Sequence, residues 1–119
     1  MTELEKAWVA GFWEGDGTCG YYTVRRKLRN GKYTTNSRLT VTVNQVDSTP
    51  LHKLVQLFKI GTVRKHSNSF GFNPKGVIST WMLSCHSARV FLNTILPYVV
   101  SDTKRQQIVE ALKSDAYDH

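Results

Sequence analysis

The chain has 119 residues, 40% of them hydrophobic and 11% aromatic, which suits one folded domain over 1–119 and excludes a disordered chain. Its net charge of +7 at pH 7 favours a polyanionic partner, such as a nucleic acid. No apolar run approaches the ~20 residues that cross a membrane, and the acidic N-terminal residues do not resemble a signal peptide. We expect an intracellular protein with no membrane partner, in a compartment that the residues leave open.

The first predicted element is a helix over 3–15 that runs into two acidic residues. Glu14 and Asp16 lie among glycines at its C-terminal end, and no basic residue follows before Arg25. A helix C-terminus carries roughly half a negative charge and therefore disfavours carboxylates. A divalent cation is the natural compensation for these acids.

The same helix has a stripe of small residues. Ala7, Gly11 and Gly15 recur every four residues, with Ala10 beside them. Glycine weakens a helix by up to ~1 kcal/mol relative to alanine, so these residues need a packing reason. Such a stripe lets another helix backbone approach closely. The second helix can belong to the same chain or to a partner, and the residues alone leave both open.

A β-hairpin is predicted next, from 18–29 to 32–45, with a two-residue type I′ turn at Asn30-Gly31. In the return strand, apolar residues alternate with polar ones, which assigns the two groups to opposite faces of a sheet. The apolar group is Leu39, Val41 and Val43, and the polar group is Arg38, Thr40, Thr42 and Asn44. The outgoing strand contains neighbouring pairs of tyrosines and arginines, so its face assignment can slip by one residue.

Helices and a second hairpin alternate through the rest of the chain. They comprise a helix over 50–59, strands over 62–67 and 77–84 joined by a loop at 68–76, and helices over 87–96 and 102–113. The order αββαββα with an extra C-terminal helix predicts an α+β fold with four antiparallel strands backed by helices.

The cysteines and histidines give no sign of a disulfide or a zinc site. Cys19 and Cys85 form no CxxC pair, and intracellular chains normally keep their thiols reduced. The histidines are scattered rather than placed at metal-site spacing. We expect both cysteines to be ordinary core residues.

The segment VAGFWEGDG at 9–17 resembles the signature of the LAGLIDADG homing endonucleases, with Val for its first Leu and Glu for its first Asp. The predicted elements follow in the order of that family, so the resemblance covers 7 to about 112. It implies a LAGLIDADG fold with a saddle-like sheet and a site-specific double-strand DNA endonuclease. It also implies Mg²⁺ as cofactor, a near-palindromic target and a homodimer, because one signature supplies half of an active site.

The resemblance also implies roles for individual residues. Asp16 would be the catalytic metal ligand, assisted by the backbone carbonyl of Gly15. Gln45 would order water at the active site, and Lys104 would be the active-site lysine, with Arg105 as the alternative. Glu14 has either a structural or a catalytic role. The dimer interface would consist of Ala7, Ala10, Gly11 and Gly15.

The outward face of the sheet is the expected DNA-binding surface. Arginine binds guanine bidentately in the major groove, whereas residues at a hairpin tip contact phosphates. The DNA-binding candidates are Tyr22, Arg25, Arg26, Lys27, Arg29, Lys32, Arg38, Thr40, Thr42, Arg64, Lys65 and His66. Charges on a sheet can instead protect it from aggregation, but that explains one or two lysines better than five basic residues between Arg25 and Lys32.

Two other functions remain open. The same fold can serve a DNA-binding protein without cleavage, or a maturase whose partner is an intron RNA. A basic structural protein of the ribosomal type fits the charge and size, but it explains neither the glycine stripe nor the acids.

Overall fold

The computed structural model describes residues 1–67 and 77–118, apart from the side chains of Val24, His66, Ser67, Tyr117 and Asp118. In chain order the elements are α1 (Glu3–Asp16), β1 (Gly17–Lys27), β2 (Tyr33–Gln45), α2 (Thr49–Phe58), β3 (Thr62–Ser67), β4 (Val77–Ser84), α3 (Cys85–Ile95), a short 3₁₀ helix (Leu96–Tyr98) and α4 (Asp102–Asp118). The α+β class and the predicted order of elements are confirmed, while the predicted loop at 68–76 lies outside the described residues. None of the helices in these two ranges is both long and apolar enough to cross a membrane.

A capping box starts α1. The backbone N–H of Glu5 donates to the hydroxyl of Thr2 at 3.1 Å, and the Thr2 N–H donates to the Glu5 carboxylate at 2.8 Å. These two bonds satisfy donors that have no partner inside the helix. They also lower the pKa of Glu5, because hydrogen bonds from Thr2 favour the charged carboxylate.

The strands form one antiparallel sheet in the order β1-β2-β4-β3. Leu39, Val41 and Val43 of β2 point to one face and are fully buried, as the alternation predicted. All four helices contact β2 and contribute to the core on this face. Every described side chain on the opposite face is exposed or half-buried. The sheet is therefore covered on one side only, as expected for an antiparallel sheet with one solvated face.

The predicted two-residue turn of the first hairpin is wrong by one residue. Gly31 donates its N–H to the Leu28 carbonyl at 3.1 Å, and Leu28 donates to Lys32 at 2.7 Å, so the loop contains three residues. Gly31 has a φ of 82°, the left-handed conformation that glycine supplies in this type of hairpin. The resulting register pairs Tyr22 with Arg38, whereas the predicted turn would pair it with Leu39. A one-residue change of register exchanges the two faces of β1.

An ion pair extends α4 five residues beyond its predicted end at Lys113. Arg89 of α3 donates through Nε to Oδ2 of Asp115 at 2.6 Å. Asp115 is only 2% exposed, and a buried carboxylate needs a cationic partner of this kind. The apolar pattern ends near Leu112, so the periodicity alone gives the shorter helix.

The two cysteines differ in their surroundings. Cys19 is buried, as predicted, and burial raises the pKa of its thiol to about 11. Cys85 is exposed at the first position of α3, where its φ is 56°. The prediction of a core residue is therefore wrong for Cys85, which follows the end of β4 at Ser84 and begins α3 in an exposed position.

Candidate active site and nucleic-acid interface

The C-terminus of α1 presents an acidic side chain that forms no ion pair within the described part of the chain. Asp16 is the last residue of α1, is exposed, and has no basic residue in the same helical turn. Within residues 1–67 and 77–118, no cationic side chain forms an ion pair with it. Gly17 donates its N–H to Trp13, so the carbonyl oxygens that follow Trp13 have no donor within the helix. The carboxylate and these carbonyls are hard oxygen donors, the kind that Mg²⁺ and Ca²⁺ prefer.

Lys104 reaches this helix end from α4. Its Nζ donates a hydrogen bond of 2.6 Å to the carbonyl oxygen of Gly17, the residue that follows Asp16. The same Nζ lies over the ring of Trp13, 5.2 Å from its centroid, within the range of a cation–π attraction. Two of the three N–H groups of an ammonium then remain for another acceptor. The structure thus brings Lys104 and Asp16 to the same junction between α1 and β1.

Gly17 lets the indole of Trp13 pack against the backbone at this junction. A Cβ built at Gly17 would lie 2.2 Å from Cδ1 of Trp13, far closer than any real contact. Trp13 itself is 1% exposed. The last glycine of the motif at 9–17 therefore has a steric reason, which is the close approach of a core aromatic ring.

Two other charged side chains are bound to the segment between the 3₁₀ helix and α4. The carboxylate of Glu14 accepts a hydrogen bond from the Val100 N–H. Arg105 donates through Nη2 to the carbonyl oxygen of Val99 at 2.5 Å. The Glu14 carboxylate is thus bound to the backbone, as a structural role requires, and its role stays a prediction. Arg105 is engaged away from the end of α1. Lys104 is the better placed of the two basic candidates.

Gln45 lies at the end of β2 near the same junction. The last pair between β1 and β2 joins Gly17 to Val43, and β2 continues beyond it to Gln45. Its backbone pairs there with Ser79 of β4, and its side chain is half-buried. The register is compatible with a place beside the end of α1, and a water-ordering role for Gln45 stays a prediction.

A second face of α1 is open to solvent and lies opposite its buried face. Val9, Ala10 and Trp13 are buried against the core. At 100° per residue, the opposite side of the helix carries five exposed residues. They are Leu4, Ala7, Trp8, Gly11 and Gly15. Leu4 is 84% exposed and Trp8 is 43% exposed. This face therefore has large apolar side chains at its N-terminal end, whereas the glycines at its C-terminal end leave the backbone uncovered.

This arrangement corrects the predicted interface at one residue. Ala10 is 0% exposed, and its methyl group belongs to the core of its own chain. Ala7, Gly11 and Gly15 remain on the open face. The predicted interface therefore included one residue too many. Ala10 lies about 100° of helical rotation away from Gly11, on the buried side of the helix.

The uncovered face of the sheet carries part of the predicted DNA-binding set. The observed register pairs Tyr22 with Arg38 and Arg26 with Thr34, so these side chains share the face opposite the helices. Thr40, Thr42 and Arg64 belong to the same face, since Arg64 pairs with Thr80 and Thr80 with Asn44. Tyr22 is 49% exposed, and its ring lies against Gly20.

Three basic residues belong to the helix side of the sheet instead. Arg25 pairs with Thr35, Lys27 with Tyr33, and Lys65 with the buried Ser79. The Arg25 guanidinium lies 4.0 Å from the centroid of the Tyr33 ring, which is a cation–π contact. The sequence left open which residues of β1 face outward, and the observed register places Arg25 and Lys27 on the helix side. Lys65 was expected on the outward face and lies on the helix side as well.

The remaining predicted contacts lie at the strand ends. Arg29 is exposed in the three-residue hairpin loop and Lys32 is exposed directly after it, where a phosphate contact needs no particular face. His66 pairs through its backbone with Ile78, and its side chain lies outside the described residues.

A family model described as LAGLIDADG endonuclease matches residues 9–98. The chain belongs to the LAGLIDADG endonuclease family. No curated protein sequence matches it.

Solved structures of homing endonucleases have the same fold. A crystal structure of I-CvuI with the I-CreI target superposes with a TM-score of 0.74 at 26% identity, covering 96% of this chain and 67% of that one. I-TnaI has a TM-score of 0.66 at 17% identity, with coverage of 97% and 74%. I-CeuI complexed with DNA has a TM-score of 0.63 at 22% identity, with coverage of 98% and 59%. The chain thus spans about two thirds of the length of the I-CvuI protein.

The LAGLIDADG motif of this chain therefore lies on α1 and the first residue of β1, and its helical part has one buried and one exposed face. One face of the helix packs on the core through Val9 and Trp13, and the other remains open. At its C-terminal end, Lys104 binds the carbonyl oxygen of Gly17, the residue after Asp16.

Sequence reasoning missed the large apolar residues of the open face. Leu4 and Trp8 precede the motif, and Trp8 stacks on Phe12 with ring centroids 5.4 Å apart. The signal was present, since Leu4, Trp8, Gly11 and Gly15 follow helical i, i+4, i+7, i+11 spacing.

Proposed function

We propose that this LAGLIDADG protein is a site-specific double-strand DNA endonuclease that acts as a homodimer on a near-palindromic site and uses a divalent cation, with Mg²⁺ as the expected ion. The observation that carries the proposal is the end of α1. There Asp16 is exposed and forms no ion pair with a described cationic side chain, and Lys104 donates to the carbonyl oxygen of the next residue, Gly17. The same helix has an open face.

The donor set at this position fits a hard divalent cation. Asp16 supplies a carboxylate, and the Gly15 carbonyl has no donor within the helix. A cation bound there would stabilise negative charge on phosphate oxygens and lower the pKa of a bound water. Over the described ranges, no group of three or more His, Cys, Asp or Glu side chains could hold a metal. One chain offers the Asp16 carboxylate at this position, and a second Asp16 from a partner would add another.

The open face of α1 is suited to bring that second Asp16 close. Gly11 and Gly15 allow two helix backbones to approach, while Leu4 and Trp8 would bury apolar area at the other end of the contact. A two-fold axis through this face is self-complementary, because the same patch serves both copies. Symmetry of the protein then requires a target whose two halves are related by the same axis.

Lys104 has a defined part in this arrangement. Its bond to the Gly17 carbonyl and its contact with Trp13 fix the ammonium near the end of α1. The remaining N–H groups can donate to a phosphate oxygen or to water, where a positive charge favours developing negative charge. Gln45 is the candidate for holding water from the side of β2.

The uncovered sheet face is the proposed DNA-binding surface. It carries Arg26, Arg38 and Arg64 on different strands. Arginine reads guanine in the major groove, and a net charge of +7 supports binding to phosphates. The similarity to I-CvuI, which was crystallised with its DNA target, supports the same partner class here.

A cleavage experiment on a randomised near-palindromic library tests this proposal. Purified protein should cut one related set of sequences in Mg²⁺ and none in EDTA, and Asp16→Asn should abolish cutting while still binding the same DNA. Glu110→Gln removes a carboxylate from the exposed surface of α4 and should cut normally. Sequencing of the cut ends reports the symmetry of the site.

Each alternative function gives a different result in the same experiment. Enrichment of one DNA sequence by the native protein and by Asp16→Asn, with no cutting by either, would identify a DNA-binding protein without cleavage. Absence of both cutting and DNA enrichment would overturn the proposal and make an intron RNA the next ligand to test.

A further inference from the structure

One row of side chains across the uncovered sheet face carries methyl groups and no charge. The backbone pairs Thr18 with Thr42, Thr42 with Met82, and Met82 with Thr62. Directly paired residues in an antiparallel sheet share a face, so these four residues form a line across all four strands. We call them the methyl row. Met82 is 42% exposed at its centre.

Charged and polar groups surround the methyl row. On one side the neighbouring line joins Asn44, Thr80 and Arg64, and the Thr80 hydroxyl donates to Asn44 Oδ1 at 2.6 Å. A shallow depression of about 160 Å³ is lined by Thr62, Arg64, Thr80 and Met82. On the other side, β1 and β2 continue to Arg38 and Arg26. The row is therefore an uncharged strip within a basic surface.

The occupant of this surface has to be polyanionic and to offer a small apolar group. Single exposed apolar residues are common, but here a methionine and three threonine methyls lie in line between arginines. The major groove of DNA presents one apolar group at its base edges, the C5-methyl of thymine. Threonine methyls and other apolar side chains contact this group directly.

We propose that the methyl row reads A·T base pairs in the inner part of each half-site, by contact with thymine methyl groups. This inference rests on the proposed endonuclease function. Thr18 is the second residue after Asp16, so the row lies beside the active site, whereas Arg38 pairs four residues farther along β1, at Tyr22. At ~3.3 Å per residue and ~3.4 Å per base pair, this separates the contacts of the row from those of Arg38 by roughly four base pairs.

The preferred target should show this order along each half. A·T pairs with thymine methyls toward the protein should be enriched close to the centre of the site, with guanine contacts farther out. Replacing the central thymines of the selected target by deoxyuridine removes only their methyl groups. This replacement should weaken binding to the native protein by roughly three- to fivefold per contacted thymine, as expected for one buried methyl group.

Substitution of Met82 tests whether this residue makes the contact. With Met82→Ser, binding should weaken on the thymine target, and the loss of affinity caused by deoxyuridine should become smaller, because the threonine methyls of the row remain. Met82→Leu should retain most of the sensitivity to deoxyuridine. Val77→Ser is the matched control, because Val77 is an exposed apolar residue of the same strand on the other face. It should leave the sensitivity unchanged.

The outcomes separate the two proposals. Selection of a DNA target with no A·T preference at its inner positions, or equal affinity for thymine and deoxyuridine targets, would overturn the methyl-row proposal and leave the endonuclease proposal standing. An unchanged response to deoxyuridine in Met82→Ser would also overturn it. Failure to select any DNA would remove both.

Discussion

Gly11 lies at the centre of the open face of α1, and no other part of the described chain comes within 4 Å of the position that a Cβ would occupy there. Alanine at this site therefore meets no obstacle within one chain. In the interior of a helix, alanine is more favourable than glycine by about 0.8–1 kcal/mol. Gly11→Ala should make the isolated chain slightly more stable toward denaturant.

The same substitution should weaken the proposed dimer. If two α1 helices pack through this face, each copy would insert one extra methyl group into a close contact between backbones. Overpacking costs about 1–3 kcal/mol per site, and a symmetric dimer contains the site twice. Even the lower figure gives about 2 kcal/mol, which raises the dissociation constant roughly 30-fold.

Sedimentation equilibrium over a range of concentrations measures the dissociation constant of the dimer. Urea unfolding of the dissociated protein measures the free energy of unfolding of one chain. Gln56→Ala is a control on the exposed side of α2. It should leave both the dissociation constant and the free energy of unfolding nearly unchanged. A dissociation constant that stays the same in Gly11→Ala would refute the helix contact at Gly11. A native protein that is monomeric at micromolar concentration would refute the dimer itself.

Two further predictions concern packing and titration. Gly17→Ala places a Cβ 2.2 Å from Trp13 and should destabilise the fold by about 1–3 kcal/mol. For 119 residues, each kcal/mol lowers the melting temperature by about 4 °C. An unchanged melting temperature would contradict the steric role of Gly17. The pKa of Cys19 is raised from 9.0 to about 11 by burial, so its contribution to stability is complete below about pH 9 and is lost as the pH rises toward 11. At pH 8 a thiol reagent should therefore modify the exposed Cys85 first and reach Cys19 on unfolding, and equal rates by peptide mapping would be inconsistent with this burial.

The order of elements could be predicted from local patterns, whereas the register of β1 could not. The alternation of Leu39, Val41 and Val43 assigned both faces of β2 correctly. Asn30-Gly31 is compatible with loops of two or three residues, and the choice between them decides the faces of β1. Because neighbouring tyrosines and arginines in β1 fit either face, only the pairing with β2 resolves which arginines face outward.

The site was predictable to a similar extent. The acids at the end of α1 and the small residues of its stripe are visible in the sequence, since both conflict with ordinary helix preferences. The contact between Lys104 and Gly17 joins residues that are distant along the chain, and only the packing of α4 on β1 creates it. α1 is apolar on more than one side, so its pattern could not separate the residues buried in the chain from Leu4 and Trp8 on the open face.

The outer half of the first hairpin extends past the helices. Core packing reaches Tyr21 and Leu39, and six further pairs run from Tyr22–Arg38 to Lys27–Tyr33 with exposed or half-buried side chains wherever they are described. Exposed substitutions of this kind change folding stability by only about 0.5 kcal/mol. Residues of the hairpin can therefore be exchanged with little penalty to the folded state. A lineage of such proteins could acquire new DNA targets through successive neutral steps in this ribbon, while the helices and the end of α1 stay the same.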